Sequence, residues 1–453
     1  MKQPDRIVRP LLIAAILLAA LVFGALLLRL LPVIESGLAS SSALPRLTPR
    51  LATPGVASHA LARKAASGSG CVSNSNSGYT VRVCISTPGP GSAITGNTTV
   101  EATVTVQGRT LGVQHIAFYL NGQPLLESFH APYRFTLPAQ DWVDGSYSLS
   151  AEAMLRDHFT TSRARIPLTF QTGTTQAPAP RTQWHPTSGT STGGPFVMAT
   201  VGDGAGGEPT ESAVINLIAS WHPSLLLYLG DVYEHGTIAE FSNWYGPLYG
   251  RFRSITDPTV GNHEYLTPGA QGYFNYWGTI PNYYSFDAHG WHFISLNSNV
   301  NKVGVDPSSA QYRWLAADLA KDTSKCTAVF FHHPYLSIGK EGGTSALASL
   351  WQLMAQHHVT LVLNGHDHEY QRWQPLDGSG QPSPTGMTEF VDGTGGHSIT
   401  PFVRTDNRLV AQYSNSSKTY GAMRWVLNPD SAAFSFITAN GAVIDSGTVS
   451  CKG

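Results

Sequence analysis

The sequence predicts an α/β domain preceded by an all-β sandwich and an N-terminal membrane-spanning helix, and three observations carry that prediction. An uncharged apolar stretch runs from Pro10 to Leu28, alternating apolar and polar residues fill 79–153, and beyond residue 195 short apolar runs alternate with amphipathic segments. Period-two alternation marks strands with one wet face. Continuous apolar runs of four to six mark strands covered on both faces, as in mixed α/β sheets.

The first element follows from length and charge. Lys2, Arg6 and Arg9 precede the apolar stretch of 19 residues and Arg29 closes it. At ~1.5 Å per residue such a helix crosses the ~30 Å hydrocarbon layer, whereas a cleavable signal has an apolar centre of about 7–15 residues. Residues 1–34 are therefore expected to anchor the chain in the cell membrane, with the basic cluster cytoplasmic and the remainder outside. A cut near Ala39 or Ala43 would give a secreted form instead. The four cysteines, Cys71, Cys84, Cys326 and Cys451, all fall on the outer side, without a CxxC pair, which suggests disulfides rather than a zinc cage. Of the three possible pairings, domain membership selects Cys71 with Cys84 and Cys326 with Cys451.

Residues 35–70, rich in Ser, Ala, Leu and Pro, read as a spacer. From Tyr79 come about seven alternating strands separated by turn pairs such as Asn121-Gly122 and Asp144-Gly145, the pattern of a β-sandwich over 71–171. A second Thr/Ser/Pro/Gly-rich linker covers 172–195. In 196–453 the apolar runs at 196–201, 225–229, 326–331 and 359–363 are expected strands, and 210–221, 238–245, 308–321 and 345–357 expected helices. The third helix has Ser308 as its N-cap and Tyr312, Leu315 and Leu319 on one face. The tail from 424 to 450 returns to strands.

Charge narrows the function. The chain has 28 Lys plus Arg against 29 Asp plus Glu, so it lacks the basic field of a nucleic-acid binder and no nucleic-acid partner is expected. Five motifs each end an apolar run: Gly202-Asp203, Gly230-Asp231, Gly261-Asn262-His263-Glu264, His332-His333-Pro334 and Gly365-His366-Asp367-His368. Ligands of open α/β sheets gather at strand ends, so distant residues can converge there. Carboxylate, imidazole and amide oxygen suit a hard or borderline cation, and two cations need a bridging donor with terminal donors on each side. A lone Gly-Asp is usually a turn, and a lone histidine usually a satisfied core residue. Five coincidences are much less common. The rival reading is a dinucleotide loop, since Gly202-Asp203-Gly204-Ala205-Gly206-Gly207 fits G-x-G-x-x-G; an Asp within it would repel pyrophosphate, and the histidine clusters would be left unexplained.

These motifs resemble those of calcineurin-like metallophosphoesterases, and within them purple-acid-phosphatase-like enzymes, over 196–453. Residues 71–171 resemble bacterial immunoglobulin-like modules. The resemblance implies a metallophosphoesterase-type β-sandwich flanked by helices. It implies Asp203 and His368 on one metal, Asp231 bridging, and Asn262, His332 and His366 on the other, with iron, zinc or manganese as the ion pair. His263 would stand beside the substrate phosphate and His333 would be a further phosphate contact; Asp231 and His263 are the residues it implies as catalytic. Ala205 stands where ordinary members place a histidine, as in the purple acid group, which uses a tyrosine ligand instead. That group reads Gly-Asp-x-x-Tyr, whereas this chain reads Gly230-Asp231-Val232-Tyr233, one residue short. Tyr233 therefore either reaches the metal or aims elsewhere. The implied activity is hydrolysis of phosphate esters, most simply monoesters, by a metal-activated hydroxide. A phosphodiesterase on the same ligands and a non-catalytic adhesion protein are the alternatives. Structural roles are expected for His357-His358 at a helix end and for Tyr273, Phe274, Tyr276, Trp277, Tyr283 and Tyr284 as core and cleft wall, and His397 either borders the site or serves its loop.

Overall fold

Backbone spacing and side-chain alternation build two β-rich bodies in the computed structural model, which describes residues 70–176, 185–187, 195–414 and 419–452. The apolar segment from Pro10 to Leu28 and the spacer lie outside the described residues, apart from Gly70. Among the described residues no helix is long and apolar enough to cross a membrane.

The first body is a nine-stranded sandwich. Cys71–Ser75, Tyr79–Thr87, Thr98–Gly108 and Tyr133–Leu137 form one sheet, and Ser92–Ile94, Ala164–Phe170, Gly145–Leu155, Val113–Leu120 and Gln123–Ser128 form the other. Every second residue of Tyr79–Thr87 faces inward, and Val81, Val83, Ile116, Phe118, Leu149 and Ile166 close the core. Asn121 and Gly122 both take positive φ, 51° and 83°, as a tight turn matched to strand twist demands. Cys71 lies opposite Cys84 across adjacent strands and is bonded to it.

The second body stacks two sheets. Thr256–Pro258, Leu225–Tyr228, Phe196–Val201, Gly421–Asn428, Ser431–Thr438 and Val443–Ser450 form a six-stranded sheet in that order. Tyr284–Ala288, Trp291–Ser295, Cys326–Phe330, Leu361–Asn364, Thr388–Asp392, Tyr370–Trp373 and Leu409–Tyr413 form a seven-stranded one. Alternation along the strands explains the apolar runs: Phe293, Phe330 and Leu363 meet Met198, Leu226 and Trp425 between the sheets. Their neighbours Ile294, Val329 and Val362 point the other way, onto Leu315 of helix Ala310–Leu319 and Trp351 of helix Ala348–Gln356. Helix Glu211–Ser220 buries Val214, Ile215 and Ile218 in the same apolar cluster, against the six-stranded sheet. The Cys326–Cys451 bond ties the chain's tail to the strand that leads into His332.

Two helix boundaries differ from expectation. The N-cap of Ala310–Leu319 is Ser309, whose Oγ accepts the Tyr312 N–H at 3.2 Å, because Ser308 is engaged by Asp306. Only one α-turn, Ile238–Glu240, forms in 238–245, and Phe241–Tyr245 widens into a π-turn. Glu240 is drawn back to accept the N–H groups of Glu234, His235 and Thr237 at 2.8–3.0 Å, and Asn243 pairs with the backbone of Thr136 in the sandwich. His357 caps helix Ala348–Gln356, a structural role as expected.

Buried carboxyls set a pH dependence. Glu389 accepts the Tyr335 N–H at 2.8 Å, yet complete burial pushes its carboxyl up to about 8; burial likewise raises Glu240 and Asp257 to about 7. A folded-state pKa above the unfolded one means the neutral acid is favoured by folding. That contribution is complete below about pH 4 and is lost as pH rises through 7 to 8. The thermal midpoint of the chelator-treated protein is expected to drop between pH 5 and pH 8.5 by roughly 4 °C or more, about 1–2 kcal/mol for a domain of this size. Glu389→Gln should flatten the slope. A midpoint that rises over this interval would contradict the assignment.

Candidate metal centre

All five motifs follow the ends of strands on one rim, and three of the predicted donors sit in left-handed backbone: Asp203 at φ 60°, Asp231 at 65° and His366 at 75°. Few non-glycine residues adopt this conformation, and its clustering at strand tips aims several side chains at one point. The preceding glycines provide room. A Cβ on Gly230 would stand 2.7 Å from His332 Nδ1, one on Gly261 2.0 Å from Asp231 Oδ1, and one on Gly365 2.6 Å from Asp203 Oδ2.

The donors fall into two groups that share one oxygen. In the first, the Tyr233 hydroxyl lies 2.6 Å from Asp203 Oδ1, 2.8 Å from His368 Nε2 and 3.2 Å from Asp231 Oδ2. In the second, His332 Nε2 lies 3.1 Å from the same Asp231 Oδ2 and 3.0 Å from Asn262 Oδ1. One donor atom each from Asp231, His332 and His366 fall within 4.8 Å of one another. The backbone sets the histidine orientations. His332 Nδ1–H donates to the Leu229 carbonyl at 2.8 Å, and His368 Nδ1 is held by Ser398, so each Nε2 faces inward. The one-residue shortening before Tyr233 therefore does not turn the ring away.

Electrostatics agree with a cation site. Burial would raise Asp203 and Asp231, but the facing imidazoles outweigh it and both carboxyls stay below their usual range, Asp231 well below. Burial opposes charge on His332, yet Asp231 drives it up to about 10, whereas burial and the charge of His332 push His366 down to about 4. Without cations the cluster holds two ionised carboxylates against one strongly favoured imidazolium. A cation bound at His332 would displace that proton.

His263 N–H donates to Asp231 Oδ1 at 2.9 Å, and its Nδ1 donates to the Glu234 carbonyl at 2.6 Å. Its Nε2 is left 3.9 Å from Asp231 Oδ2. His333 hydrogen-bonds Ser298 through Nδ1 at 2.8 Å, and its ring centre is 4.4 Å from that of His366. It lines a cleft of about 260 Å³ together with Asn262, Tyr265, Asn299 and Lys302. Tyr273, Trp277 and Tyr284 are core, so they offer no aromatic platform.

Three neighbours make contacts that the sequence did not specify. Glu264 binds the Gly261, Val232 and Asp231 N–H groups at 2.7, 2.7 and 3.3 Å, bracing two motif loops. His397 stacks on Tyr233 at 3.8 Å between ring centres, 13° from parallel, and bonds Glu234 at 3.1 Å. Asp367 turns away from the site and takes the Glu341 and Gly342 N–H groups at 2.8 and 3.0 Å. Glu264 and Asp367 both stand within quoted motifs, and His397, expected either to border the site or to serve its loop, borders it. The glycine-rich loop is also explained, since the Glu211 carboxylate occupies the Gly206 and Glu208 amides at 2.5 and 3.1 Å. A pyrophosphate would need those amides, which removes the dinucleotide reading.

Residues 184–370 match the family described as calcineurin-like phosphoesterase, and 82–151 match the bacterial Ig domain. This chain carries a calcineurin-like phosphoesterase domain. Purple acid phosphatase 22 of Arabidopsis thaliana is 28% identical to it over 236 residues, 45% of this chain and 51% of the relative. A 3′,5′-cyclic-nucleotide phosphodiesterase of Nostoc sp. is 31% identical over 178 residues, 36% of this chain and 65% of the relative. A purple acid phosphatase from yellow lupin seeds has a TM-score of 0.48 at 14% identity, covering 82% of this chain and 79% of that one. The chain spans about half the length, or less, of the plant relatives that it matches.

Proposed function

We propose that the phosphoesterase domain is a metal-dependent phosphatase, acting on phosphate monoesters outside the cell membrane, either tethered by its N-terminal apolar segment or secreted after cleavage. The observation that carries this reading is the position of Asp231 Oδ2, 3.2 Å from the Tyr233 hydroxyl and 3.1 Å from His332 Nε2, which makes one carboxylate oxygen common to two donor groups. That arrangement fits two ions, with Asp203, Tyr233 and His368 holding one and Asn262, His332 and His366 the other. When bound, iron, zinc or manganese would lower the pKa of a water toward neutrality and supply positive charge to the phosphate oxygens.

The chain's residues do the rest. With Nδ1–H given to the Glu234 carbonyl, the imidazolium form of His263 has Nε2–H free to donate to a phosphate oxygen or to pass its proton to the departing alcohol, leaving the neutral ring. His333 and Asn262 border the cleft in which the leaving group would lie. Two bonded cysteine pairs support an oxidising, extracytoplasmic location.

The test is turnover of an aryl phosphate by purified protein, repeated after chelation and after adding back each ion. Activity should vanish with the chelator and return with at least one of the three metals. A bis-aryl diester and a cyclic nucleotide, assayed in parallel, should be cleaved at least about tenfold more slowly, a difference of about 1.4 kcal/mol in barrier. The faster turnover of either would replace the monoesterase reading with a phosphodiesterase, which the cyanobacterial relative favours. No turnover with any ion or ester would leave the adhesion reading.

A further inference from the structure

The loop that delivers Tyr233 to the metal centre is gripped from outside its own domain. Immediately after Tyr233 the chain passes Glu234, whose carboxylate bonds His397 and whose carbonyl orients His263, and then His235. His235 Nε2 reaches 3.3 Å to Glu127 Oε1, on strand Gln123–Ser128 of the immunoglobulin-like sandwich, and the other oxygen of Glu127 lies 3.4 Å from His115 of the same sandwich. Two residues on, the Thr237 hydroxyl donates to the Leu125 carbonyl of that strand at 2.6 Å. The attachment extends into the core, since Ala239 packs with the sandwich's own apolar residues. Phe129, at the end of the same strand, sets its ring 6.4 Å from His397, the residue stacked on Tyr233.

A module that served only as a spacer would have no reason to satisfy buried polar groups on the loop behind a metal ligand. The Glu127 carboxyl is mostly buried, its side chain 17% exposed, with one oxygen on His235 of the loop and the other held by His115 of the sandwich. We infer that the immunoglobulin-like domain is a working part of the metal centre, with Glu127 a positioning residue that fixes loop 233–237 and thereby the Tyr233 hydroxyl. Its effect on metal affinity rests on the proposed metal-binding reading; its effect on the loop does not.

The two are separable by experiment on the full chain. In the chelator-treated protein, Glu127→Ala should speed hydrogen exchange of the Glu234, His235 and Thr237 amides at least tenfold while exchange in strands Cys326–Phe330 and Leu361–Asn364 stays unchanged. In the loaded protein the same variant should weaken affinity for added iron or zinc by about tenfold, as loss of a group that orients ligands does. Glu127→Gln, which keeps one acceptor oxygen, should restore most of both effects. Glu152→Ala is the control: it removes a carboxylate two strands from Glu127 in the same sheet, in the Tyr119–Glu152–Arg163 cluster that makes none of the bonds to loop 233–237 described above, and should alter neither measurement. Unchanged exchange in 234–237 with Glu127→Ala, or equal effects from Glu152→Ala, would overturn the inference. A wild-type chain that binds no metal, with the exchange difference still present, would instead defeat the proposed function alone.

Discussion

Asp231→Asn is expected to lower kcat/KM on an aryl phosphate at least about a thousandfold, roughly 4 kcal/mol at 1.36 kcal/mol per factor of ten. The substitution preserves size and leaves one oxygen, so packing is nearly unaltered. It removes a negative charge from the one side chain that faces both donor groups, 3.2 Å from Tyr233 and 3.1 Å from His332. Metal content should fall with activity, because neither group of neighbours can replace a shared carboxylate. Its other oxygen holds the His263 N–H at 2.9 Å, a bond that the amide oxygen of Asn can keep only by turning its NH2 toward the position shared by the two donor groups. Turnover within tenfold of the parent, at full metal content, would show that Asp231 is not the shared donor.

Gly261→Ala should be nearly as damaging although it removes no donor. The added methyl carbon would stand 2.0 Å from Asp231 Oδ1 and 2.7 Å from the Asp231 nitrogen, distances that force the carboxylate or its backbone to move. Geometry at a two-ion site tolerates displacements of only about 0.5 Å, so a loss of a hundredfold or more is expected, together with weaker metal retention. Glu264 braces the same corner through the Gly261 and Asp231 amides and limits how the chain can yield. Titration with zinc, followed by the same kinetic assay, tests this directly. A variant with parental affinity and turnover would mean that the strand tips shift freely.

The convergence of these donor-type side chains was readable because each carries its own local signal. A strand must end, a glycine must give space, and a polar residue must follow, and all three fall within a few positions, as in Gly230-Asp231 or Gly365-His366. Cysteine pairing was readable for a similar reason, since domain membership left one sensible choice. What escaped depends on contacts with no spacing in the chain. The stacking of His397 on Tyr233 spans 163 intervening positions of sequence. Glu127 grips His235 from another domain, and Glu211 fills its own glycine-rich loop, which had seemed open for a phosphate. The segment expected as a helix at 238–245 is helical, but its widening into a π-turn over Phe241–Tyr245 had no local signal, since Asn243 there pairs with Thr136 of the sandwich.

The left-handed turns at Asp203, Asp231 and His366 carry a last consequence. Each holds the chain in a conformation disfavoured by roughly 1–3 kcal/mol, and together they pin two like-charged carboxylates close to each other with no freedom to retreat. A flexible rim would let such groups drift apart whenever counter-charge was scarce. This rim cannot relax in that way, so in the empty site the facing imidazoles must balance the two carboxylates where they stand, and a cation that takes over that balance finds its oxygens already in place.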